Sequence, residues 1–133
     1  IVELGKFVIE EAIKQHKKWE LFEFHELPIA INLSLREIES GDMVDFVARL
    51  LGKYQINPSL IKFEITESIG MVNTSVAKQE FFALKKLGIS LALDDFGTGY
   101  ASFSYLRDFP LDTIKIDLAF VSNIMENEEH QKI

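Results

Sequence analysis

The sequence predicts an α/β protein with a parallel sheet, because two patterns repeat along its 133 residues. Segments with the three- and four-residue apolar spacing of amphipathic helices alternate with short apolar segments that are typical of buried strands. Strands that are joined by crossover helices run parallel to one another. Polar residues also recur near the carboxyl end of each predicted strand, and that edge is where α/β proteins build their functional sites.

The first half of the chain is predicted to contain two helices and two strands. An apolar stripe over residues 1–19 indicates the first helix, and the apolar, β-branched segment 29–34 indicates a buried strand. Asp42 is a candidate cap for a second helix that reaches Tyr54. Residues 59–67 then alternate apolar and polar side chains, as a strand does.

The second half of the chain repeats this alternation. A third helix is predicted over 75–88, with a glycine stop at its end, and the strand 89–95 follows it. A short helix over 102–107 precedes a fourth strand at 113–117, and a further helix begins within 120–125. We therefore expect about four parallel βα units.

Composition and charge exclude several classes of function. The chain is 47% hydrophobic and 26% charged, as soluble globular proteins are, and residues 1–133 are expected to form one domain. A net charge of −7 argues against DNA binding, which requires a basic surface. The absence of cysteine excludes disulfides, thiolate metal sites and a cysteine nucleophile. Because there is no membrane-length apolar run and no signal peptide, we predict a cytoplasmic domain without direct membrane insertion.

Two adjacent carboxylates, Asp94 and Asp95, follow the apolar run 91–93 and precede the glycines at positions 97 and 99. Neighbouring carboxylates repel each other, and a chain that places them where a strand ends usually holds a cation or moves a proton there. Asp and Gly are also common turn formers, so the segment alone fits a functional site and a simple turn equally well. The other strands decide between these two interpretations.

The polar residues at the ends of the predicted strands form a set of hard oxygen donors with one cation. They are Asn32, Glu64, Asp94, Asp95, Lys115 and Asp117. Such donors, without cysteine or a histidine cluster, favour Mg²⁺, Mn²⁺ or Ca²⁺. Two of these ions can support phosphoester hydrolysis, with Lys115 orienting the water or neutralising the phosphate. The alternatives are buried salt bridges that close the sheet end and, for Lys115, a simple ion pair with Asp117 or another carboxylate.

Four segments of the chain are informative when they are taken together. They are Ile31-Asn32-Leu33-Ser34, Phe63-Glu64-Ile65-Thr66-Glu67-Ser68, Asp94-Asp95-Phe96-Gly97-Thr98-Gly99-Tyr100 and Ile114-Lys115-Ile116-Asp117. In order and spacing they resemble the EAL domain, the cyclic di-GMP phosphodiesterase domain of bacterial signal transduction. The resemblance implies a TIM-like (β/α) barrel and a hydrolase that opens cyclic di-GMP to the linear dinucleotide.

The resemblance also implies roles for individual residues. The implied ligands of a two-metal site, holding Mg²⁺ or Mn²⁺, are Asn32, Glu64, Asp94, Asp95 and Asp117. The first three resemble ligands of one metal, Asp95 resembles a ligand of the second, and Asp117 would contribute from nearby. Lys115 resembles the lysine near the nucleophilic water. Glu67 resembles the glutamate that steadies the loop after the third strand.

Part of the family pattern has no counterpart in residues 1–133. The Glu-Ala-Leu motif that names the family is missing, as are its later strands, and a complete barrel has eight strands where about four are predicted here. We therefore expect a truncated EAL domain, a partial TIM-like barrel that is inactive by itself. Its exposed sheet edges would invite pairing with another chain.

Three functions are compatible with these residues. The first is part of a metal-dependent cyclic di-GMP phosphodiesterase, which is favoured because every matched site residue is intact. The second is a non-catalytic EAL-type receptor for cyclic di-GMP or a protein-interaction module, and the third is another divalent-metal phosphoesterase. The resemblance further implies linkage to sensory or GGDEF-type domains and a tendency to form a homodimer. A membrane tether elsewhere in the parent protein is compatible with a cytoplasmic EAL domain.

Overall fold

The computed structural model describes residues 1–22, 26–66, 75–97 and 107–121. The helices and strands in these ranges are, in chain order, α1 (Val2–Trp19), β1 (Ile29–Asn32), α2 (Leu35–Glu39), α3 (Met43–Tyr54), β2 (Ile61–Thr66), α4 (Ser75–Lys86), β3 (Ser90–Phe96), β4 (Thr113–Ile116) and α5 (Leu118–Val121). Short 3-10 helices follow α1 at Glu20–Phe22 and precede β2 at Pro58–Leu60.

The four strands form one sheet in the order β1-β2-β3-β4, which is also their order in the chain. Every pair of neighbouring strands is parallel. Because the strands are parallel, all of their carboxyl ends lie at the same edge of the sheet. The predicted α/β class with a parallel sheet is thereby confirmed.

One face of the sheet packs against helices and forms the hydrophobic core. Ile61, Phe63 and Ile65 of β2 are buried in it, whereas Lys62 and Glu64 between them are partly exposed. The helices contribute the buried side chains of Ile9, Ile13, Met43, Val47, Leu50, Ala77, Phe81 and Leu84. The alternation that predicted β2 therefore separates a core face from a polar face, and the polar face is available for a functional site.

Helix α2 was not predicted, because the strand before it was expected to continue to residue 34. In the structure β1 ends at Asn32, and Ser34 begins α2. The backbone N–H of Ser34 donates to Glu37 Oε2 at 2.7 Å, and the Ser34 hydroxyl donates to the same oxygen. This capping box has a recognisable sequence spacing, Ser-x-x-Glu, and its hydrogen bonds outweigh the apolar character of the segment.

The start of α3 is stabilised by a residue from another helix. Asp42 precedes α3 as predicted, but its carboxylate makes no hydrogen bond to the backbone of that helix. It accepts hydrogen bonds from Lys6 Nζ at 2.6 Å and from the Ser40 hydroxyl at 2.7 Å instead. Glu80 of α4 supplies the missing acceptor, because its Oε2 binds the backbone N–H of Val44 at 2.9 Å.

The later elements follow the predicted order. Gly88 ends α4 as expected, with a φ of 95° and a backbone N–H that donates to the Lys85 carbonyl at 2.9 Å. Helix α5 begins at Leu118, slightly earlier than predicted. The helix predicted over 102–107 lies almost wholly outside the described residues. In the described part of the chain, no helix combines the length and the apolar character needed to cross a membrane.

Candidate active site

The parallel register brings polar residues from three strands to one face of the sheet. Asn32 of β1 lies opposite Glu64 of β2, and Thr66 of β2 lies opposite Asp94 of β3. Residues two positions apart on a strand share a face, so Asn32, Glu64 and Asp94 all lie on the face away from the hydrophobic core. The structure thus brings together three of the residues that the strand-end pattern selects.

Lys115 of β4 binds both carboxylates of this set, Glu64 and Asp94. Its Nζ donates hydrogen bonds to Glu64 Oε2 at 2.9 Å and to Asp94 Oδ2 at 2.8 Å. The exposed fractions of the Glu64 and Asp94 side chains are 16% and 24%, so the ion pairs are partly shielded from water. Of the two functions considered for Lys115, the pairing with carboxylates is therefore present in the structure, with these partners rather than with Asp117.

Lys115 and Asp94 shift each other's pKa. The hydrogen bond from Lys115 holds the pKa of Asp94 below its usual value; partial burial opposes this, and the backbone N–H of Asp95 adds to it. Hydrogen bonds to Asp94 and then to Glu64 raise the pKa of Lys115. At neutral pH the site therefore contains an ionised Asp94 carboxylate and a protonated Lys115 ammonium.

A β-bulge lies where β3 meets β4. Asp94 and Asp95 of β3 together lie opposite the single residue Lys115 of β4. Asp95 has a left-handed backbone conformation with a φ of 56°, which Asp tolerates better than most residues, and its N–H donates to Asp94 Oδ1 at 3.0 Å. The backbone therefore departs from regular strand geometry at the same residues that carry the neighbouring carboxylates.

Asp117 follows β4 and begins α5. Its backbone N–H donates to the Phe96 carbonyl at 3.2 Å, and its Oδ1 accepts a hydrogen bond from the N–H of Ala119 at 2.7 Å. The first bond connects the end of β4 to β3, and the second stabilises the start of α5; the contribution of Asp117 to a metal site stays a prediction. Glu67, the expected loop-steadying glutamate, lies outside the described residues, so its role also stays a prediction.

The oxygen donors fit a hard divalent cation by their chemistry. Within the described ranges, no group of three or more His, Cys, Asp or Glu side chains is arranged to hold a metal ion. Glu64 and Asp94 nevertheless converge on one cation, the Lys115 ammonium, and Asn32 lies beside Glu64 on the next strand. Carboxylate and amide oxygens are the ligands that Mg²⁺ and Mn²⁺ prefer.

A cavity of about 420 Å³ opens beside Asn32 and Glu64. Leu4 and Val8 of α1 contribute to an apolar wall, and Glu37 of α2 adds a carboxylate to the polar side. Cavities that combine an apolar wall with a few polar groups are the usual form of small-molecule sites. This cavity can therefore accommodate part of an organic ligand next to the strand-end residues.

Glu37 is a buried carboxylate that was not singled out from the sequence. Only 5% of its surface is exposed, and its Oε2 is bonded to Ser34, two residues after Asn32. Gly5 of α1 packs directly against it, since a Cβ atom at position 5 would overlap Glu37 Oε1. The Ser-x-x-Glu spacing is the sequence signal that could have identified Glu37.

A family model described as the EAL domain matches residues 1–133, which is the whole chain. The chain belongs to the EAL domain family. "Signaling protein YkoW" of Bacillus subtilis is 40% identical over 133 residues, which make up 100% of this EAL chain and 16% of YkoW. MucR of Pseudomonas aeruginosa, named a bifunctional diguanylate cyclase/cyclic di-GMP phosphodiesterase, is 32% identical over 100% of this chain and 19% of MucR. The EAL chain thus spans less than a fifth of these two relatives.

Solved EAL structures have the same fold. The structure titled PaMucR phosphodiesterase, c-di-GMP complex, superposes with a TM-score of 0.86 at 31% identity, over 99% of this chain and 53% of that one. The EAL domain of Mycobacterium smegmatis DcpA gives a TM-score of 0.88 at 29% identity, over 98% of this chain and 59% of that one. Because EAL domains are TIM-like barrels, the four-stranded parallel sheet is a partial TIM-like barrel, as expected.

Proposed function

We propose that this EAL chain contributes the metal- and water-orienting residues of a phosphodiesterase that hydrolyses cyclic di-GMP to the linear dinucleotide. The observation that carries the proposal is the convergence of Glu64, Asp94 and Lys115 at the carboxyl edge of a parallel sheet. The comparisons support the choice of substrate, because MucR is named a cyclic di-GMP phosphodiesterase and its solved structure is a complex with c-di-GMP.

The proposal assigns a two-metal site to the polar face of the sheet. Asn32, Glu64 and Asp94 would hold one Mg²⁺ or Mn²⁺ ion, Asp95 would hold the second, and Asp117 would contribute from the start of α5. A divalent ion supplies Lewis acidity, which polarises a phosphodiester and makes a nearby water more acidic. The carboxylates of this chain would hold the metal ions on the face of the sheet on which they lie.

Lys115 provides a fixed positive charge beside the carboxylates. Two hydrogen bonds orient its ammonium, and its raised pKa keeps it protonated at neutral pH. Lys115 therefore acts in this proposal as a fixed charge rather than as a general base. It acts by orienting a water and by offsetting the negative charge that develops on the phosphoryl oxygens. Glu67 would steady the loop that follows β3.

The partners in this proposal follow from the relatives. MucR is named as a diguanylate cyclase as well as a phosphodiesterase, and this EAL chain matches only 19% of it. We propose that the chain is likewise linked to a GGDEF-type or sensory domain. A homodimer of the parent protein is a further prediction, and size-exclusion chromatography with light scattering would measure it.

Turnover by the complete gene product tests the proposed reaction. With Mn²⁺ or Mg²⁺ present, the unaltered protein should convert cyclic di-GMP to the linear dinucleotide, as followed by chromatography. Lys115→Met should lower kcat by about 100-fold or more, the order of loss when one electrostatic donor is removed from an active site. Lys53→Met is the matched control, since Lys53 is an exposed lysine that pairs with Glu10 on another surface. It should retain the full rate.

Two results would contradict the proposed reaction. One is an unaltered protein that yields no linear dinucleotide at any concentration of Mn²⁺ or Mg²⁺. The other is a Lys115→Met protein that keeps the rate of the Lys53→Met control.

A second candidate is a non-catalytic receptor for cyclic di-GMP. It is supported by the cavity of about 420 Å³ beside Asn32 and Glu64, which can accommodate part of an organic ligand. Equilibrium dialysis in the presence and absence of EDTA separates the two functions. A receptor would bind cyclic di-GMP in both conditions and release it unchanged, whereas the enzyme would release the linear dinucleotide only when the metal is present.

A further inference from the structure

Two neighbouring carboxylates on one strand raise a geometric problem. Side chains on a regular strand alternate between the two faces of the sheet, so consecutive residues face opposite sides. Asp94 faces the site, because its Oδ2 accepts a hydrogen bond from Lys115. In a regular strand, Asp95 would therefore face the hydrophobic core, where an ionised carboxylate is very unfavourable.

The β-bulge in β3 places Phe96 where Asp95 would otherwise lie. Across the sheet, Ile116 of β4 pairs with Phe96 and not with Asp95. The Phe96 side chain is partly buried and packs against the core. Asp95 is exposed and is the left-handed, extra residue of the bulge.

The backbone also anchors Phe96. Its carbonyl accepts a hydrogen bond from the Asp117 N–H at 3.2 Å, which continues the contact between β3 and β4 beyond Ile116. Beyond the bulge, the pairing of β3 with β4 is therefore held by the Phe96 side chain in the core and by this backbone hydrogen bond. Both contacts are made by the residue immediately after Asp95.

We propose that Phe96 is a positioning residue that holds the carboxylate of Asp95 on the metal-binding face of the sheet. The inference rests on the proposed function, because it takes Asp94 and Asp95 as ligands of neighbouring metal ions. Phe96 acts through its packing, which fixes the register that excludes Asp95 from the core. A small side chain at position 96 removes that anchor, and the carboxylate of Asp95 is no longer held near the second metal ion.

Electron paramagnetic resonance of the complete gene product, loaded with two equivalents of Mn²⁺, tests this role. Two Mn²⁺ ions in one site are exchange-coupled, and their spectrum differs from that of an isolated ion. The unaltered protein should give the coupled spectrum. Phe96→Ala should give the isolated-ion spectrum, with the affinity for the second Mn²⁺ lowered at least about tenfold and the affinity for the first unchanged.

Two control variants separate positioning from general loss of packing. Phe96→Leu keeps an apolar side chain in the core, so its spectrum should remain coupled. Phe46→Ala removes a partly buried phenylalanine from α3, away from the site, and should also leave the spectrum coupled. If circular dichroism finds Phe96→Ala unfolded, Phe96→Val is measured in its place, since valine suits a strand but fills less of the core.

The outcomes distinguish this inference from the proposed function. A coupled spectrum in a folded Phe96→Ala or Phe96→Val protein overturns the inference and leaves the proposed function intact. Loss of the coupled spectrum in Phe46→Ala overturns it too, because any loss of packing would then have the same effect. An unaltered protein without exchange-coupled Mn²⁺ overturns the two-metal proposal itself, and the inference with it.

Discussion

At Gly5, helices α1 and α2 approach too closely for a side chain. A Cβ atom there would overlap Glu37 Oε1. Glu37 has little freedom to move away, because it is buried and both the N–H and the hydroxyl of Ser34 are bonded to its other oxygen. A methyl group at position 5 must therefore displace α1 or break the capping box that begins α2.

Gly5→Ala is expected to lower the free energy of unfolding by about 1–3 kcal/mol, the cost of leaving a buried polar group unsatisfied. Urea denaturation measures it. Gly52→Ala is the matched control, since nothing lies within 4 Å of a Cβ atom at that helical position. It should stabilise the protein by up to about 1 kcal/mol. If Gly5→Ala still costs as much in a Glu37→Ala background, the contact with Glu37 is not the cause.

Asp94 links the stability of the metal-free protein to acid pH. Hydrogen bonding from Lys115 holds its folded-state pKa below the ordinary 3.8. A carboxyl group whose folded-state pKa is lowered stabilises the folded protein at any pH above its unfolded-state pKa. This stabilisation is lost as the pH falls from about 4 through the folded-state pKa. In EDTA, the urea concentration at the unfolding midpoint should therefore fall less steeply below pH 4 for Lys115→Met than for the unaltered protein. High salt should weaken the effect, because the pair is partly exposed. An unchanged pH profile in Lys115→Met would contradict this assignment.

At the scale of single elements, sequence patterns predict the features that depend on neighbouring residues. They miss the features that depend on contacts with distant parts of the chain. The alternation in β2 was sufficient to predict its buried face, because that face follows from a two-residue period. The bulge in β3 depends on how β3 pairs with β4, and no local pattern in residues 94–96 specifies that pairing. The acceptor for the start of α3 comes from Glu80, which is 36 positions from Val44 in the chain.

Glu80 is expected to stabilise α3 although it belongs to α4. Its carboxylate accepts a hydrogen bond from the first turn of α3, where a negative charge also interacts favourably with the helix dipole. Glu80→Ala should lower the free energy of unfolding by about 1 kcal/mol, as the loss of a helix cap does, and Glu80→Gln should cost less. Gln79→Ala, at an exposed position of the same helix, is the control and should be nearly neutral. Equal stability of Glu80→Ala and Gln79→Ala would show that the cap contributes nothing.

At the scale of the whole molecule, fold class and family were both predictable. The alternation of helices and strands requires a parallel sheet, and a parallel sheet places every strand's carboxyl end at one edge. That edge brings Asn32, Glu64 and Asp94 close together, and the pairing register then places them on one face of the sheet. Which carboxylates Lys115 binds could not be predicted, because the choice among several nearby oxygens depends on side-chain geometry.

The strand order of the sheet also has a consequence for folding. Paired residues are separated by 32 positions between β1 and β2, from Ile29 to Ile61, and by 21 positions between β3 and β4, from Leu93 to Ile114. Each strand can therefore dock onto the strand made just before it, without waiting for a distant part of the chain to leave the ribosome. A chain that folds in this order brings Glu64 and Asp94 together first and adds Lys115, the cation that joins them, with β4.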